Sequence, residues 1–374
     1  MASAIPESLV VRDGVCHALY SYDVGLSIDL AACDRRIPSL KQQERVKDKR
    51  RAPESYFEQE SPPLRMTLKT SAIPIHGIST PITIDLVIHD FGAVTVIFGF
   101  PIEGPLSKIL ELSHLLYDNE ALRSASLQQV ERLVEDIREF IAKPNIDDLV
   151  EDYCIFELHG FTTPMSPTEF VERYGLPIAQ ILRAETSKLS EQEIADALSC
   201  RLSFGEGDLA IVDWNAALLL DSDTDDVRTV LELANSELLE MRYLDEQLDA
   251  AMERSYKAML LQREHRWWGL TGGTKSDLRR IARLQVDHAV AFERINNALK
   301  LFGDQYLARI YRLASQKFHL NDWDSSILRK LQTLEGIYQR LTDRAANRRM
   351  ELLEWIIIVL IAVSMVLPFV TGHK

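Results

Sequence analysis

Cysteine is scarce in this sequence, and no familiar chemical motif is built from it. The four cysteines, Cys16, Cys33, Cys154 and Cys200, are widely scattered and form no Cys-x-x-Cys pair. This spacing signals neither a zinc site nor a disulfide framework, so a reducing compartment fits best. The nine histidines form no His-Glu-x-x-His motif, and no Gly-x-Ser-x-Gly marks a nucleophilic serine. We therefore predict no cofactor and no metal, and the motifs give no support for catalysis.

Positive charge is also in short supply, because the formal net charge is −14 and the pI is near 5.2. Non-specific affinity for nucleic acid comes mostly from a basic surface, so this composition argues against a general nucleic-acid binder. One local basic cluster lies between residues 41 and 51: Arg45, Lys47, Lys49, Arg50 and Arg51. It could contact RNA or anionic lipid, but charged runs are ordinarily solvated loops, which is the interpretation we favour.

The N-terminal residues lack the long apolar core of a secretory signal. The stretch MASAIPESLVVRDGVC includes Glu7 and Asp13, which is also atypical of an organellar presequence. The sequence therefore predicts a chain that is not exported from this end.

Residues 1–220 have the pattern of an α+β domain with antiparallel hairpins. The clearest β signal is the stretch 80–100, in which two alternating apolar runs flank an Asp-Phe-Gly turn. Ser166 and Ser190 each precede a glutamate by three residues, a spacing that predicts helix starts. A second hairpin is expected around residues 205–208, and strands joined by hairpins with helices between them indicate the α+β class.

The pattern changes after Asp221, and residues 221–351 predict a long antiparallel coiled-coil-like region. The segments 224–263, 276–318 and 322–353 contain no proline, and apolar residues recur at three- and four-residue steps. This periodicity favours self-association, so we expect a homo-oligomer formed through the helical region.

The most apolar run spans residues 352–370 and predicts one transmembrane helix. Nineteen helical residues extend about 28 Å, close to the roughly 30 Å of a bilayer core. Arg344, Arg348 and Arg349 precede the run and predict that the bulk of the chain stays on the cytoplasmic side. The predicted anchor side chains are Leu352, Leu353, Trp355, Ile356, Ile357, Ile358, Val359, Leu360, Ile361, Val363, Met365, Val366, Leu367, Phe369 and Val370.

Two further patterns resemble ligand loops. Asp221, Asp223, Asp225 and Glu232 occupy liganding positions of a calcium loop, but Asp226 stands where the turn needs glycine, so an acidic helix start is favoured. The stretch 269–276, GLTGGTKS, is similar to a phosphate-binding loop, but Thr274 replaces a required glycine and no strand precedes it. We interpret it as a hinge between antiparallel helices.

Three stretches carry a resemblance to a known family: HDFGAVTVIFGFP at 89–101, LLLDSDTDDVRTVLELANSELLEMRYLDEQLDAAMERS at 218–255, and RRMELLEWIIIVLIAVSMVLPF at 348–369. With them the chain resembles the uncharacterised family of the "required for meiotic nuclear division" protein and the bacterial YagE-like proteins. The resemblance implies a membrane-attached oligomer without established enzymatic activity. Its mitochondrial members support organelle translation, a role not expected of a chain without a transit peptide.

Together these features predict a tail-anchored, self-associating scaffold that tethers an unknown protein partner at a lipid bilayer. The alternative is a membrane-tethered enzyme whose site lies within residues 1–220 and is formed by residues distant in sequence. We expect a single-pass protein of the bacterial inner membrane, with an organellar membrane as the other possibility.

Overall fold

The chain forms two compact units, of which the first contains a large β-sheet and the second is helical. The computed structural model describes residues 9–36, 41–42, 63–68, 83–221, 223–264 and 305–371. Unit 1 comprises Met1–Tyr243 with Val290–Trp323, and unit 2 comprises Leu244–Ala289 with Asp324–Lys374. The fold class is α+β with a large mixed sheet. The division predicted at residues 220 and 351 stays a prediction.

In chain order, the strands of the described residues are β1 (Val10–Asp23), β2 (Ser27–Ile28), β3 (Lys41–Gln42), β4 (Leu64–Leu68), β5 (Thr83–Ile88), β6 (Ala93–Pro101), β7 (Gly104–Pro105), β8 (Ile141–Ala142), β9 (Val150–Phe161), β10 (Arg201–Leu202), β11 (Leu209–Val212) and β12 (Ala216–Leu220). The α-helices of the same residues are α1 (Leu30–Arg36), α2 (Leu106–Leu116), α3 (Glu120–Ile137), α4 (Pro167–Arg183), α5 (Glu191–Ala197), α6 (Asp225–Glu264), α7 (Gln305–Lys317) and α8 (Leu320–Thr371).

The main sheet has the strand order β10-β11-β12-β9-β1-β6-β5-β4-β3, and β7 pairs with β1 beside this path. All of its described pairings are antiparallel except β12 with β9, which is parallel. The long strand β1 lies at the centre, where Leu19 is paired with Ile97 on β6 and with Tyr153 on β9.

Side-chain alternation divides the sheet into two faces of different chemistry. Cys16, Ala18, Tyr20 and Tyr22 of β1 point to one face, the apolar face, where they join the main core with residues of α2, α3 and α4. The intervening residues point to the other face. This second face, which we call the polar face, carries His17, Ser21, Asp23, Arg65, Asp85, Thr95, Glu151 and Glu157. Because the side chains of a strand alternate with a period of two, one sheet presents both surfaces.

Different helices cover the two faces of the sheet. On the apolar face the Tyr22 hydroxyl lies 2.6 Å from Ser126 Oγ of α3. On the polar face, Arg65 contacts Glu232 of α6. Near one edge of the polar face the ring of Phe318, just after α7, packs against Tyr153 of β9 at 5.2 Å between centroids. Most polar side chains of the sheet are therefore covered by α6, and the end of α7 covers the neighbouring Tyr153.

Several local elements agree with their sequence signals. Strands β5 and β6 pair antiparallel, as the alternation over residues 80–100 predicts. The hydroxyls of Ser166 and Ser190 accept hydrogen bonds from the backbone N–H groups of Glu169 and Glu193, each at 3.2 Å, at the starts of α4 and α5. Strands β10 and β11 form the second hairpin. Short-range hydrogen bonding alone is enough to specify these elements.

The parallel pairing of β12 with β9 was not expected from a pattern of hairpins. After β9 the chain passes through α4, α5, β10 and β11 before β12 returns beside β9, with Leu218 opposite Phe156. A parallel pair needs such a crossover, and its partners lie too far apart in sequence to leave a local signal. The sheet is mixed for this reason.

In unit 2, polar side chains of α6 and α8 contact each other. Lys330 Nζ of α8 lies 2.7 Å from Asp245 Oδ1 and 2.6 Å from Asp249 Oδ1 of α6. Farther along both helices, Ser255 Oγ donates a hydrogen bond of 2.8 Å to the hydroxyl of Tyr338. The contacts advance in the same direction along both helices, so these two segments run parallel. The predicted antiparallel arrangement does not describe this pair.

The predicted transmembrane helix is overturned, because no helix within the described residues is long and apolar enough to cross a membrane. The run 352–370 is the end of the 52-residue helix α8, whose preceding turns are rich in charged residues.

Some sequence predictions fall outside the described residues. These are the basic cluster Arg45, Lys47, Lys49, Arg50 and Arg51, the stretch 269–276 and most of the segment 276–318. The side chains of Leu352, Val363, Met365, Val366, Leu367, Phe369 and Val370, and those of Arg344, Arg348 and Arg349, also lie outside the description.

Replacing Gly92 with alanine should destabilise unit 1, because Gly92 closes the β5–β6 turn with a φ of 105°. A Cβ atom there would lie 1.8 Å from the backbone oxygen of Gly25. We expect Gly92→Ala to lower the free energy of unfolding by at least about 2 kcal/mol in denaturant titrations. Gly207→Ala is the matched control, since an added Cβ there meets nothing within 4 Å. Equal stability of the two variants would contradict this account of the turn.

Candidate functional site

A continuous series of ion pairs links the polar face of the sheet to α6. Arg65 of β4 lies between Asp85 of β5 and Glu232 of α6, with nitrogen–oxygen distances of 3.6 and 2.5 Å. Arg228 of α6 lies 3.3 Å from both Glu232 and Glu157 of β9. These charged side chains from three strands and one helix are therefore paired within a largely buried interface.

The series of ion pairs continues to histidines on two central strands, β1 and β9. His17 Nε2 of β1 lies 3.2 Å from Glu157 Oε2, and His159 Nε2 of β9 lies 3.8 Å from the same oxygen. His159 Nδ1 also lies 3.3 Å from Asp13, which is exposed. The buried carboxylate of Glu157 thus connects the interface beneath α6 with the solvent-facing end of β1 and β9.

Charge pairing keeps these buried carboxyls ionised. Burial alone would raise the pKa of Glu157, but the hydrogen bond and charge of His17, followed by Arg228, lower it to about 2. Burial likewise opposes ionisation of Glu232, while Arg65 and Arg228 together lower its pKa below the usual value. An unpaired charge at such a depth would be strongly destabilising, so removing one member of these ion pairs would leave its partner buried without compensation.

A hydroxyl and amide cluster continues the interface towards the other end of β1. Ser21 Oγ lies 2.8 Å from Thr95 Oγ1 on β6, and Asn235 of α6 donates to Ser21 Oγ at 3.2 Å. Ser236 Oγ is 3.3 Å from Thr95 Oγ1 and donates to the backbone oxygen of Glu232. These bonds satisfy polar groups that α6 removes from water.

Next to this cluster, two buried carboxyl groups share a hydrogen bond. Burial first, and then the charge of Asp147, raise the pKa of Asp23 to about 7, although hydrogen bonds from Glu240 and Gly25 oppose the shift. Burial and the neighbouring Asp23 raise the pKa of Glu240 well above its usual value. Two carboxyls in contact cannot both ionise at low cost, so this pair retains a proton near neutral pH.

Cys16 and His17 are neighbours in sequence but lie on opposite faces of the sheet. Cys16 points into the apolar core, whereas His17 points to the polar face, so the two neighbours cannot act together. Asp225 lies 3.0 Å from Arg228, and Glu232 is buried between arginines. Within the described ranges no group of three or more His, Cys, Asp or Glu side chains could hold a metal ion. Asp225 and Asp226 lie in the first turn of α6.

The described anchor residues lie on the surface of α8. Trp355 is 65% exposed, Leu360 is 62% exposed, and Ile356, Ile357, Ile358 and Val359 are each 53–54% exposed. Because successive helical residues point about 100° apart, these six side chains cover every direction around the helix. The assignment of this run to a bilayer is wrong, because no helix among the described residues is long and apolar enough to cross a membrane.

Sequence reasoning missed the polar face and its contacts with α6. A period-two signal was present, since His17, Ser21 and Asp23 alternate with buried apolar residues in β1, and Glu151 and Glu157 do so in β9. The pairing of Arg228 with Glu157 joins residues 71 positions apart, and no local pattern indicates it.

The fold and the site define a class of α+β protein with a ten-stranded mixed sheet. A long helix, α6, covers the charged face of this sheet. Residues 13–226, more than half of the chain, match the family described as "Uncharacterized protein MJ0711, N-terminal domain", and the chain belongs to this family. Uncharacterized protein MJ0711 of Methanocaldococcus jannaschii is 25% identical over 240 residues, which cover 63% of this chain and 71% of that protein. No solved structure matches the chain.

These findings correct two predictions. The resemblance to the "required for meiotic nuclear division" and YagE-like family is wrong, because the matching family is that of the MJ0711 N-terminal domain. The stretches 89–101 and 218–255 consist mainly of hairpin and amphipathic-helix patterns, which recur in unrelated folds. The expected bacterial inner membrane is also corrected, since the relative is archaeal and no membrane-spanning helix is found among the described residues.

Stability should depend on pH through the pair Asp23 and Glu240. The folded pKa of Asp23, about 7, lies above its ordinary value of 3.8, so the folded state holds a proton that the unfolded state releases. This proton therefore makes the free energy of unfolding fall as pH rises from about 4 to 7, by up to about 1.4 kcal/mol per pH unit. His89, whose pKa burial lowers to about 4, contributes a slope of opposite sign up to about pH 6.5. Denaturant titrations at several pH values in this interval measure the slope.

Glu240→Gln should make this slope shallower, because it removes the like charge beside Asp23 and adds an amide donor. A residual slope is expected from Glu151, whose pKa burial raises to about 7 against the opposing effect of Arg242. Glu246→Gln is the matched control, as Glu246 is exposed on the same helix. An unchanged slope in Glu240→Gln would show that the pair does not retain the proton.

Proposed function

We propose that this protein is a self-associating scaffold that holds several copies of its α+β unit together for a protein partner. Self-association takes place through the exposed apolar side chains of α8 at residue 353 and residues 355–360, which we call the apolar segment; Glu354 lies between them. The exposure of this segment in all directions is the observation that carries the proposal.

Exposed apolar surface of this kind marks an interaction site. Isolated apolar side chains on a protein surface are ordinary, but contiguous apolar patches are uncommon and indicate contacts with other molecules. A helix that is apolar on all sides needs a partner on all sides. In the single chain the six consecutive residues 355–360 are each more than half exposed.

A second copy of this chain is the occupant that best satisfies this requirement. Each copy brings an identical apolar helix end, so the copies can form a bundle in which the apolar segments cover one another. Closed symmetric assemblies of this type are the usual form of homo-oligomers. A partner helix with a single apolar stripe would leave the remaining directions of the segment exposed.

The rest of unit 2 supports such an arrangement. Leu248 and Ala251 of α6 are buried, as are Leu331, Leu334 and Tyr338 of α8, so the earlier part of α8 already has its partner within the chain. The apolar segment begins 15 residues beyond Tyr338, which is about 22 Å farther along the helix. Contacts within the helix pair and contacts between copies therefore use separate parts of α8. The alternative of an enzyme site within residues 1–220 stays a prediction.

The molar mass of the full chain in solution should correspond to a multimer. The double variant Ile357→Glu with Val359→Glu places charges on nearly opposite sides of α8 and should convert the multimer into monomers, because the association would bury unpaired charges. Light scattering after gel filtration, over a wide range of protein concentration, measures the mass. Circular dichroism checks that the helix content is unchanged.

The matched control places the same two charges on exposed apolar residues elsewhere. Leu328→Glu on α8 and Leu115→Glu on α2 replace side chains that are 46% and 41% exposed. This control should keep the mass of the unmodified chain. A monomeric unmodified chain, or a multimer that the apolar-segment variant leaves intact, would refute self-association through this segment.

A further inference from the structure

A cavity of about 510 Å³ lies at one edge of unit 1, between the end of α4, α5, the β11–β12 turn and the end of α7. Its volume falls within the roughly 300–1,000 Å³ of typical small-molecule sites. The lining side chains are mostly polar and come from distant parts of the chain: Arg183, Asp196, Ser199, Cys200, Asp213, Trp214, Asn215, Gln316, Lys317 and His319.

Two cations in the cavity wall are fixed side by side by one buried carboxylate. Asp213 Oδ2 lies 3.0 Å from Arg183 Nε, and Asp213 Oδ1 lies 3.1 Å from Lys317 Nζ. Asp213 is only 2% exposed, and its backbone oxygen accepts a 3.0 Å hydrogen bond from the Tyr153 hydroxyl. The side chains of Arg183 and Lys317 are thus held in a defined geometry before any ligand arrives.

An exposed carboxylate bridges the same two cations from the solvent side. Asp196 Oδ2 at the end of α5 lies 2.6 Å from Arg183 Nη2 and 3.1 Å from Lys317 Nζ. Its side chain is 60% exposed, in contrast to that of Asp213. The hydrogen bond from Lys317 holds the pKa of Asp196 below its usual value, so the group is an anion at neutral pH. Asp196 therefore occupies a position that suits the carboxylate or phosphate group of a ligand.

An aromatic surface lies beside this anion position. Trp214, in the β11–β12 turn, is 46% exposed, and the ring of His319 lies 6.4 Å from it between centroids. An indole that is half exposed at a cavity wall offers a face on which a flat ring can stack, and such stacking contributes substantially to the binding of bases and other planar groups. Asn215, Gln316 and Ser199 supply further polar groups around it.

We propose that this cavity binds a small anion that carries a planar ring. The anionic group displaces the Asp196 carboxylate and binds to Arg183 and Lys317, and the ring stacks on Trp214. The anionic group takes the place of Asp196 at Arg183 Nη2 and Lys317 Nζ, while Arg183 Nε stays paired with Asp213 and Nη1 with Glu193. Hydrogen bonds between ionised groups are stronger than those between neutral groups. The inference uses unit 1 alone and does not depend on self-association through α8.

Calorimetric titration of the full chain tests the proposal with two probes that differ in the source of the anion. Adenosine monophosphate supplies a phosphate, and indole-3-acetate supplies a carboxylate. Inorganic phosphate carries an anionic group without a ring, and uncharged adenosine carries a ring without an anionic group. We expect one of the two ring-bearing anions to bind more tightly than both half probes. No binding of either ring-bearing anion, or equal binding of inorganic phosphate, would overturn the proposal.

Two variants with opposite expected effects test the geometry with the probe that binds. Asp196→Asn removes a competing charge of a largely exposed ion pair and should tighten binding by about two- to fivefold. Trp214→Ala removes the stacking surface and should weaken binding by at least about fivefold. A gain of affinity is not expected if Asp196 only supports the local fold.

Matched controls replace an acidic and an aromatic residue away from the cavity. Glu172→Gln removes an exposed negative charge on α4, and Tyr117→Ala removes an aromatic side chain that is 55% exposed. Both should leave affinity unchanged. Weaker binding in Asp196→Asn, or unchanged binding in Trp214→Ala with the fold intact, would show that the anion does not take the proposed position.

Discussion

Arg228 and Glu232, which are neighbours one turn apart near the start of α6, neutralise the buried charges on the polar face of the sheet. Within the sheet, Glu157 is paired with His17 and Arg65 with Asp85, and α6 adds a second, oppositely charged partner to each of them. The apolar face needs no such partner, because its side chains pack against α2, α3 and α4 on the basis of shape and area. The position of α6 is therefore specified by these ion pairs together with the apolar contacts of Leu233 and Leu239 with Phe91 and Ala93, whereas α2, α3 and α4 contribute apolar side chains to the main core.

Sequence reasoning succeeds where an element depends on residues close in sequence and fails where a contact joins distant residues. The turn at residues 89–92 and the caps at Ser166 and Ser190 depend on neighbours within a few residues, and the sequence predicts them. The parallel pairing of β12 with β9 and the contact of Arg228 with Glu157 join distant residues, and no periodicity reveals them. The polar face was detectable in principle as alternation within β1, but its helical partner was not.

The apolar end of α8 is interpreted differently from its sequence alone and from its place in the helix. As a sequence, residues 352–370 have the length and hydropathy of a membrane span, and this led to a prediction that the structure does not support. As part of α8, the described side chains form an exposed apolar surface that continues a helix already packed against α6. The family of the MJ0711 N-terminal domain matches residues 13–226, so the comparison covers the sheet and the start of α6 and leaves the function of α8 to direct measurement.

The central position of β1 has a consequence for synthesis on the ribosome. Among the described strands β1 is made first, yet it is bonded to β6 on one side and β9 on the other. About 60 further residues must be translated between the completion of β6 and that of β9, which takes roughly 3–12 seconds at typical elongation rates. During that interval one edge of a 14-residue strand has no partner, and unpaired edges promote aggregation. The nascent chain should therefore be a client for chaperones that shield such edges.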